Sequence, residues 1–340
     1  IANPDTQYYG WGRNNRPNGL DENRGQDITF TFSNTLNYVK TFNEKHSLNL
    51  LLGVESIKNK AAGVGASRQN YDNTSDPFRY LDFGGMGSAT TAYPRNAGSE
   101  TSWALLSYFA SGTYGYKDRY FATATLRADA SSNFGPNNKW GYFPSFSGGW
   151  TVSNEGFFEP LSNTINYLKL RVGYGEVGNQ NIPANRYQTI LTLTPSPFGG
   201  SSPTIDNLGN PDIKWEALKS FNAGLDLDMF NNRVKFTFDY YIKNSSDFLT
   251  KQINDESNQS ALNYYLNTGE IETKGVEFTL NTRNIVTENF TWDSTIILSK
   301  YNNELTSFQG DGKSLLGKVQ FDLYTVTKTS EGQPVGQFYG

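Results

Sequence analysis

Acidic side chains at close spacing are the first candidates for chemistry in this chain: Asp226, Asp228, Asp239, Glu270, Glu272 and Glu277. Two carboxylates facing each other across a cleft would serve glycoside hydrolysis as general acid and as nucleophile or base. These residues instead recur along stretches that alternate polar and apolar, which is the spacing of a wet strand face, so no catalytic pair is expected. The single histidine, His46, lies in FNEKHSL, and the chain has no cysteine. A Ser-His-Asp triad, a His-based zinc site and a c-type haem site therefore all lack parts, and His46 reads as a solvated turn residue. Gly173, Gly175 and Gly178 match G-x-G-x-x-G, but NQNIPANRY follows, without a helical period and with Pro183 inside it. A dinucleotide site needs a helix there to hold the pyrophosphate. Asn-x-Ser/Thr matches at Asn73 and Asn244 are expected by chance in so Asn-rich a chain. No catalytic residue, cofactor or metal is expected, and the chain does not read as an enzyme.

The elements that carry these residues are strands. From Phe221 to Met229, the residues Phe221, Ala223, Leu225, Leu227 and Met229 share one side of an extended chain, with Asn222, Gly224, Asp226 and Asp228 on the other. After a turn at Asn231 and Asn232 the pattern resumes with Val234, Phe236, Phe238, Tyr240 and Ile242, so the two segments read as a hairpin. The same reading predicts strands near 28–40, 47–62, 101–115, 119–130, 141–153, 167–178, 214–229, 233–247, 268–285 and 290–301. Short connectors at 41–46, 116–118, 230–232 and 286–289, and a moderate one at 154–166, alternate with longer ones at 63–100, 131–140, 179–213, 248–267 and 302–335. That rhythm predicts an all-β fold: an antiparallel up-and-down transmembrane β-barrel, with short turns on the periplasmic side and long loops outside the cell.

Composition is compatible with this reading without deciding it. The 340 residues are 36% hydrophobic and carry a net charge of -4, with a mean hydropathy of -0.59 and a pI near 5.2. A barrel with a polar lumen averages out this way, and so does a soluble β-sandwich. Aromatics make up 15% of the chain, and Phe42, Tyr116, Tyr120, Phe230, Phe290 and Trp292 flank the tight turns, where rings suit a membrane–water boundary. No run approaches the roughly 18 apolar residues of a membrane helix. The acidic balance and the lack of any Lys/Arg-rich run argue against a nucleic-acid partner. The chain begins at Ile1 with neither an initiator Met nor a signal peptide, so a leader has been lost or the sequence starts internally.

Several blocks bear a resemblance to the SusC/RagA family of TonB-dependent outer-membrane transporters of Bacteroidota. They are RADASSNFG (127–135), KWGYFPSFSGGW (139–150), SNEGFF (153–158), LKLRVGYGEVGNQNI (168–182), IKWEALKSFNAGLDLDMFNNRV (213–234), ETKGVEF (272–278) and GQPVGQFYG (332–340). The resemblance marks Arg127, Asp129, Ser131, Phe134, Gly135, Trp140, Gly141, Pro144, Ser145, Trp150, Gly173, Gly178, Asn179, Gln180, Lys274, Gly275 and Glu277 as family-motif positions of architectural character. Trp140 and Trp150 would mark opposite membrane boundaries or pack beneath loops. The resemblance implies a barrel of about twenty-two strands, of which this chain would hold about ten. It further implies that residues 1–340 are part of one barrel domain, with the plug, the TonB-contacting segment and a small N-terminal extension domain absent from this chain.

By that resemblance the function is import of oligosaccharides or peptides across the outer membrane of a Gram-negative bacterium. The implied partners are a SusD-like lipoprotein on the extracellular side, TonB-ExbB-ExbD through the missing N-terminal region, and outer-membrane lipid. Two other readings remain open: a SusC-like barrel serving as a structural or accessory part of an envelope complex, and a soluble β-rich glycan-binding protein. Long loops on rigid scaffolds commonly carry binding, which points to 63–100 and 179–213. In the first, Tyr71, Phe78, Tyr80, Phe83 and Tyr93 would either stack on sugar rings or pack the loop against its neighbours.

Overall fold

Three of the four short connectors, 41–46, 116–118 and 230–232, are closed by a turn geometry that suits twisted hairpins. Asn43 and Glu44, Lys117 and Asp118, and Asn231 and Asn232 all have positive φ, between 48° and 62°. Each pair is spanned by a backbone hydrogen bond: Lys45 N to Phe42 O (3.1 Å), Arg119 N to Tyr116 O (3.0 Å) and Arg233 N to Phe230 O (3.3 Å). Two successive left-handed residues make a type I′ turn, whose twist matches that of the flanking strands. The computed structural model describes residues 19–69, 75, 80–83, 96–195, 201–253, 263–308, 314–318 and 325–338.

In chain order the first strands are β1 (Gly19–Phe42), β2 (His46–Gln69), β3 (Asn96–Tyr116), β4 (Tyr120–Ser131), β5 (Trp140–Thr151) and β6 (Ile165–Asn179). Then come β7 (Ile190–Pro195), β8 (Ser201–Leu208), β9 (Glu216–Met229), β10 (Val234–Ser246), β11 (Leu249–Ile253) and β12 (Asn263–Asn267). The last are β13 (Glu270–Val286), β14 (Thr291–Ser307), β15 (Ser314–Lys318), β16 (Thr325–Ser330), β17 (Gln333–Pro334) and β18 (Gln337–Phe338). One eleven-stranded sheet runs β1-β2-β3-β4-β5-β6-β9-β10-β13-β14-β17. The registered pairs from β3 to β17 are antiparallel. The ten long strands of this sheet are the ten read from the sequence.

Two features depart from that reading. The first three strands extend well past 28–40, 47–62 and 101–115, because alternation is imposed only where one face meets lipid, and GLDENRGQD at 19–27 has one apolar side chain, Leu20, and no alternation. The connectors taken as loops also carry short strands. A four-stranded sheet runs β11-β12-β8-β7, with β12 parallel to β8, and a three-stranded one runs β15-β16-β18.

The chain divides into two compact units. In the unit Ile1–Thr31 with Ile57–Ala104, the Asn59 amide donates to Asp27 Oδ1 (2.5 Å) and Thr29 Oγ1 (2.9 Å), and Lys60 pairs with Glu100 (2.9 Å). The unit Phe32–Ser56 with Leu105–Gly340 contains the remainder of the main sheet. Its two faces are chemically distinct. On one, Leu170, Leu225, Phe238, Phe278 and Leu298 form a single row across β6, β9, β10, β13 and β14. On the other, the neighbouring row is Lys169, Asp226, Thr237, Thr279 and Ile297. The apolar row stays uncovered, with Leu298 61% and Leu170 41% exposed. Water would penalise such a face heavily, whereas hydrocarbon would not.

Candidate functional site

The wet face of the sheet is a wall of paired charges. Arg171 on β6 donates from Nε to Asp226 Oδ2 (2.7 Å) and from Nη2 to Asp226 Oδ1 (3.0 Å) and Asp239 Oδ2 (3.2 Å), tying β6 to β9 and β10. Gly224 lies under this cluster, and a Cβ there would strike both the guanidinium and Asp239. On β4, Arg127 donates from Nε to both Asp129 oxygens (2.9 and 3.0 Å) and from Nη2 to Ser107 Oγ (2.9 Å) and Glu55 (3.2 Å). Glycines on this face make room for rings lying flat on the wall. A Cβ on Gly53 would enter the Phe109 ring, one on Gly141 or Gly178 the Phe143 ring, and one on Gly275 the Tyr241 ring. Pro144 precedes the first β5–β6 pair, Ser145 with Gly175, so its missing N–H interrupts nothing in that ladder. Gly173 lies in β6, away from any helix, opposite Ser147. Glu277 faces Asp239 across the β10–β13 pair, while Lys274, which pairs with Glu272 at 2.6 Å, stands opposite Ile242 on the other face.

At the long-connector end the chain builds a small core. Phe134, Ile182 and Ile213 are buried together, with Tyr187, Trp215, Leu249 and Tyr265 packed around them. The Trp215 ring stands 5.0 Å from Phe134 and 5.4 Å from Phe143, and its Nε1 donates to Lys139 O (3.0 Å). Polar groups stitch the same connectors. Asn133 takes its N–H to Ser131 Oγ and its amide to Gln180 O and Ile182 O; Asn138 Nδ2 donates to Asp212 O; Asn179 Oδ1 accepts from Asn181 N. Asn267 accepts from Lys214 N and donates to Lys214 O and Asp247 O. Gly135 passes close to the Pro211 carbonyl, leaving no space for a side chain. Family-motif residues Ser131, Phe134, Gly135, Asn179 and Gln180 thus meet in one hub.

At the short-turn end, rings line up across strands on the apolar face. Tyr116, Tyr120 and Trp150 stack at 6.4 and 6.3 Å between centroids. Trp140, at the other end of β5, stacks on Tyr108 at 6.2 Å. His46 is not simply solvated: its Nδ1 lies 2.7 Å from Tyr114 Oη, and its ring is 4.8 Å from Tyr116. Glu155 accepts from Tyr120 Oη (2.6 Å), Trp150 Nε1 (3.2 Å) and Arg119 Nη1 (2.9 Å). The Tyr120 hydroxyl, then Trp150 and Arg119, hold the Glu155 carboxyl below the usual carboxylate range against the opposing effect of desolvation.

Of the loop aromatics named from the sequence, Tyr80 is exposed and Phe83 closes a short 3-10 turn, Leu81–Phe83. Tyr71, Phe78 and Tyr93 lie outside the described residues. Sequence reasoning passed over Arg171, Glu155 and Trp215. Arg171 had a signal: it is a cation on the wet side of a strand whose next wet positions are Gly173 and Gly175. Among the described residues no group of His, Asp and Glu is placed to hold a metal. What the wall offers a solute is a set of charged and hydroxyl groups spread over several strands, suited to reversible hydrogen bonding.

Comparison with known proteins gives a consistent result. The family model "TonB dependent receptor-like, beta-barrel" matches residues 2–336. TonB-dependent receptor P3 of Formosa agariphila is 32% identical over 332 residues, covering 93% of this chain and 32% of the relative. TonB-dependent receptor SusC of Bacteroides thetaiotaomicron is 31% identical over 288 residues, covering 79% of this chain and 28% of the relative. The chain thus spans about a third of the length of these curated relatives. Among solved structures, the RagAB peptide importer in its closed-closed state superposes with a TM-score of 0.82 at 26% identity, covering 94% of this chain and 34% of that one.

Proposed function

From the membership of this chain in the TonB-dependent receptor β-barrel family, whose SusC-like members are outer-membrane proteins of Bacteroidota, we infer that it forms part of the wall of a nutrient importer. The barrel is SusC-like, and its proposed cargo is an oligosaccharide or peptide delivered by a SusD-like lipoprotein on the extracellular side. Energy would come through TonB-ExbB-ExbD, by way of parts of the longer protein that also supply the plug and the N-terminal extension. Residues 1–340 would then all belong to one barrel domain.

The observation that carries this reading is the two-faced sheet: an uncovered apolar face beside a face of paired charges and hydroxyls joined across strands. Such a sheet suits a wall between lipid and a watery passage. The likeness to the RagAB peptide importer supports a peptide cargo, and the likeness to SusC supports the same class of transporter. A soluble glycan binder does not need a sheet left bare on one side.

The test is uptake by cells carrying the full-length gene or its deletion, using labelled oligopeptides and labelled oligosaccharides, together with affinity purification from detergent-solubilised outer membranes. Loss of uptake of one class and co-purification of a surface lipoprotein are expected. Undiminished uptake of both classes in the deletion strain, when no paralogue compensates, would refute the importer reading.

A further inference from the structure

The connector between β5 and β6 runs as two short 3-10 turns, Val152–Asn154 and Gly156–Leu161, with Glu155 between them. The Glu155 carboxylate holds Arg119, Tyr120 and Trp150 at once, which ties the connector to the turn before β4, to β4 itself and to β5. Beneath it Phe158 is buried, at 4% exposure. Two other apolar side chains of the same turn point away: Phe157 is 67% exposed and Leu161 52%. A connector facing only water would be better served by polar residues there.

Phe157 extends a surface already described. The Phe157 ring makes an edge contact with Trp150 at 6.5 Å, and Trp150 continues through Tyr120 to Tyr116 on the apolar face. The same rim carries alternating charges: Glu44 and Lys45 in one turn, Lys117 and Asp118 in the next, joined by a hydrogen bond from Lys117 N to Lys45 O (2.7 Å). Lys117 Nζ lies over the Tyr116 ring at 5.3 Å. Mixed charges above an aromatic row match the edge of a zwitterionic headgroup layer, with rings at the boundary and the turn charges on its aqueous side.

We propose that the β5–β6 connector is a membrane-seated foot, in which Phe157 and Leu161 enter the headgroup–acyl boundary of the phospholipid leaflet on the short-turn side and Glu155 is the positioning residue that fixes the foot to the wall. The foot depends on the barrel lying in the outer membrane and not on which cargo it imports. Short apolar projections of this kind bind interfacially through the area they bury, without spanning the bilayer.

The experiment uses the full-length transporter in phosphatidylethanolamine-containing nanodiscs. Any cysteines elsewhere in the protein are replaced, and a single environment-sensitive fluorophore is attached at Phe157→Cys or, as the water-facing control, at Asp118→Cys. Heat-modifiable gel mobility reports separately that the barrel is folded, so a failure of the family reading would show there. The Phe157 probe is expected to emit to the blue of the control and to be quenched by lipid brominated near the glycerol end of its chains, while aqueous iodide quenches the Asp118 probe. Equal iodide quenching at both sites overturns the proposal, as does a Phe157 probe reached by neither quencher, which would mean that protein covers it. Adding Glu155→Gln to the labelled, folded protein should shift the Phe157 probe toward iodide. An unchanged lipid signal in that variant removes the positioning role from Glu155.

Discussion

Leu225→Arg tests the assignment of the two faces. Leu225 lies between Leu170 and Phe238 on the apolar face, four residues before Met229 ends β9 at the turn. About 9–11 residues of such a strand cross the bilayer, which puts Leu225 near the middle of the crossing. An arginine there costs about 2–4 kcal/mol. At 1.36 kcal/mol per factor of ten, the folded-to-unfolded ratio falls roughly 30- to 900-fold. The control must sit on the wet face at similar depth. The sequence alone suggests Asp226, but Asp226 holds Arg171 through two hydrogen bonds, so replacing it with a second cation would do harm of its own. Thr237, between Asp226 and Thr279 on the wet face, is the better site, and Thr237→Arg should stay within about 0.5 kcal/mol of the parent. The assay is a urea titration of the full-length protein folded in lipid vesicles, scored by heat-modifiable gel mobility. Equal shifts for the two variants, or a neutral Leu225→Arg, would refute the face assignment and with it the lipid contact.

Four further outcomes are expected. Arg171→Leu leaves Asp226 and Asp239 without their cation; because these groups are partly solvated, the loss should be about 1–2 kcal/mol, and a second change, Asp239→Asn, should recover part of it in a double-mutant cycle. Gly178→Val drives a side chain into the Phe143 ring and should cost about 1–3 kcal/mol, relieved by Phe143→Ala, whereas Gly148→Ala gains only an ordinary contact with Val172 and should be nearly neutral by the same titration. Phe134→Ala should cost the outer hub about 3–5 kcal/mol, seen as faster amide exchange in 132–139 and 210–215 while β9 and β10 stay protected. Glu155, with its pKa lowered by Tyr120, Trp150 and Arg119, contributes stability that is fully present above the unfolded carboxylate value near ~4.3 and lost as pH falls through the lower folded value. Trp150 emission should therefore hold from neutral pH to about 5 and change only below the ordinary carboxylate range, a change that Glu155→Gln should abolish.

The strands legible in the sequence were those with unlike faces. Where lipid lies on one side and water on the other, as in β9 and β10, alternation follows directly, and the register pairs Leu225 with Phe238 and Asp226 with Thr237 as the pattern requires. Outside that band the signal vanishes: GLDENRGQD is strand in the structure yet has no apolar face to announce it. The short strand β7 left a faint trace in ILTLT, too brief to separate from chance. The hub was harder still, because Phe134, the pair Ile182 and Ile213, and Tyr265 come from three different connectors and only the folded chain brings them together. The family resemblance marked Phe134 and Gly135 without explaining them; in the structure Phe134 meets Trp215 and Gly135 passes close to Pro211.

The shared ring at the centre of that hub limits how this end of the sheet can move. Phe134 belongs to the β4–β5 connector, Ile182 and Ile213 to the one between β6 and β9, and Leu249 and Tyr265 to strands between β10 and β13. No single one of these can swing aside without tearing its share out of a common apolar plug of side chains. Movement at this end is therefore concerted: the three segments shift together or stay as one fixed shoulder.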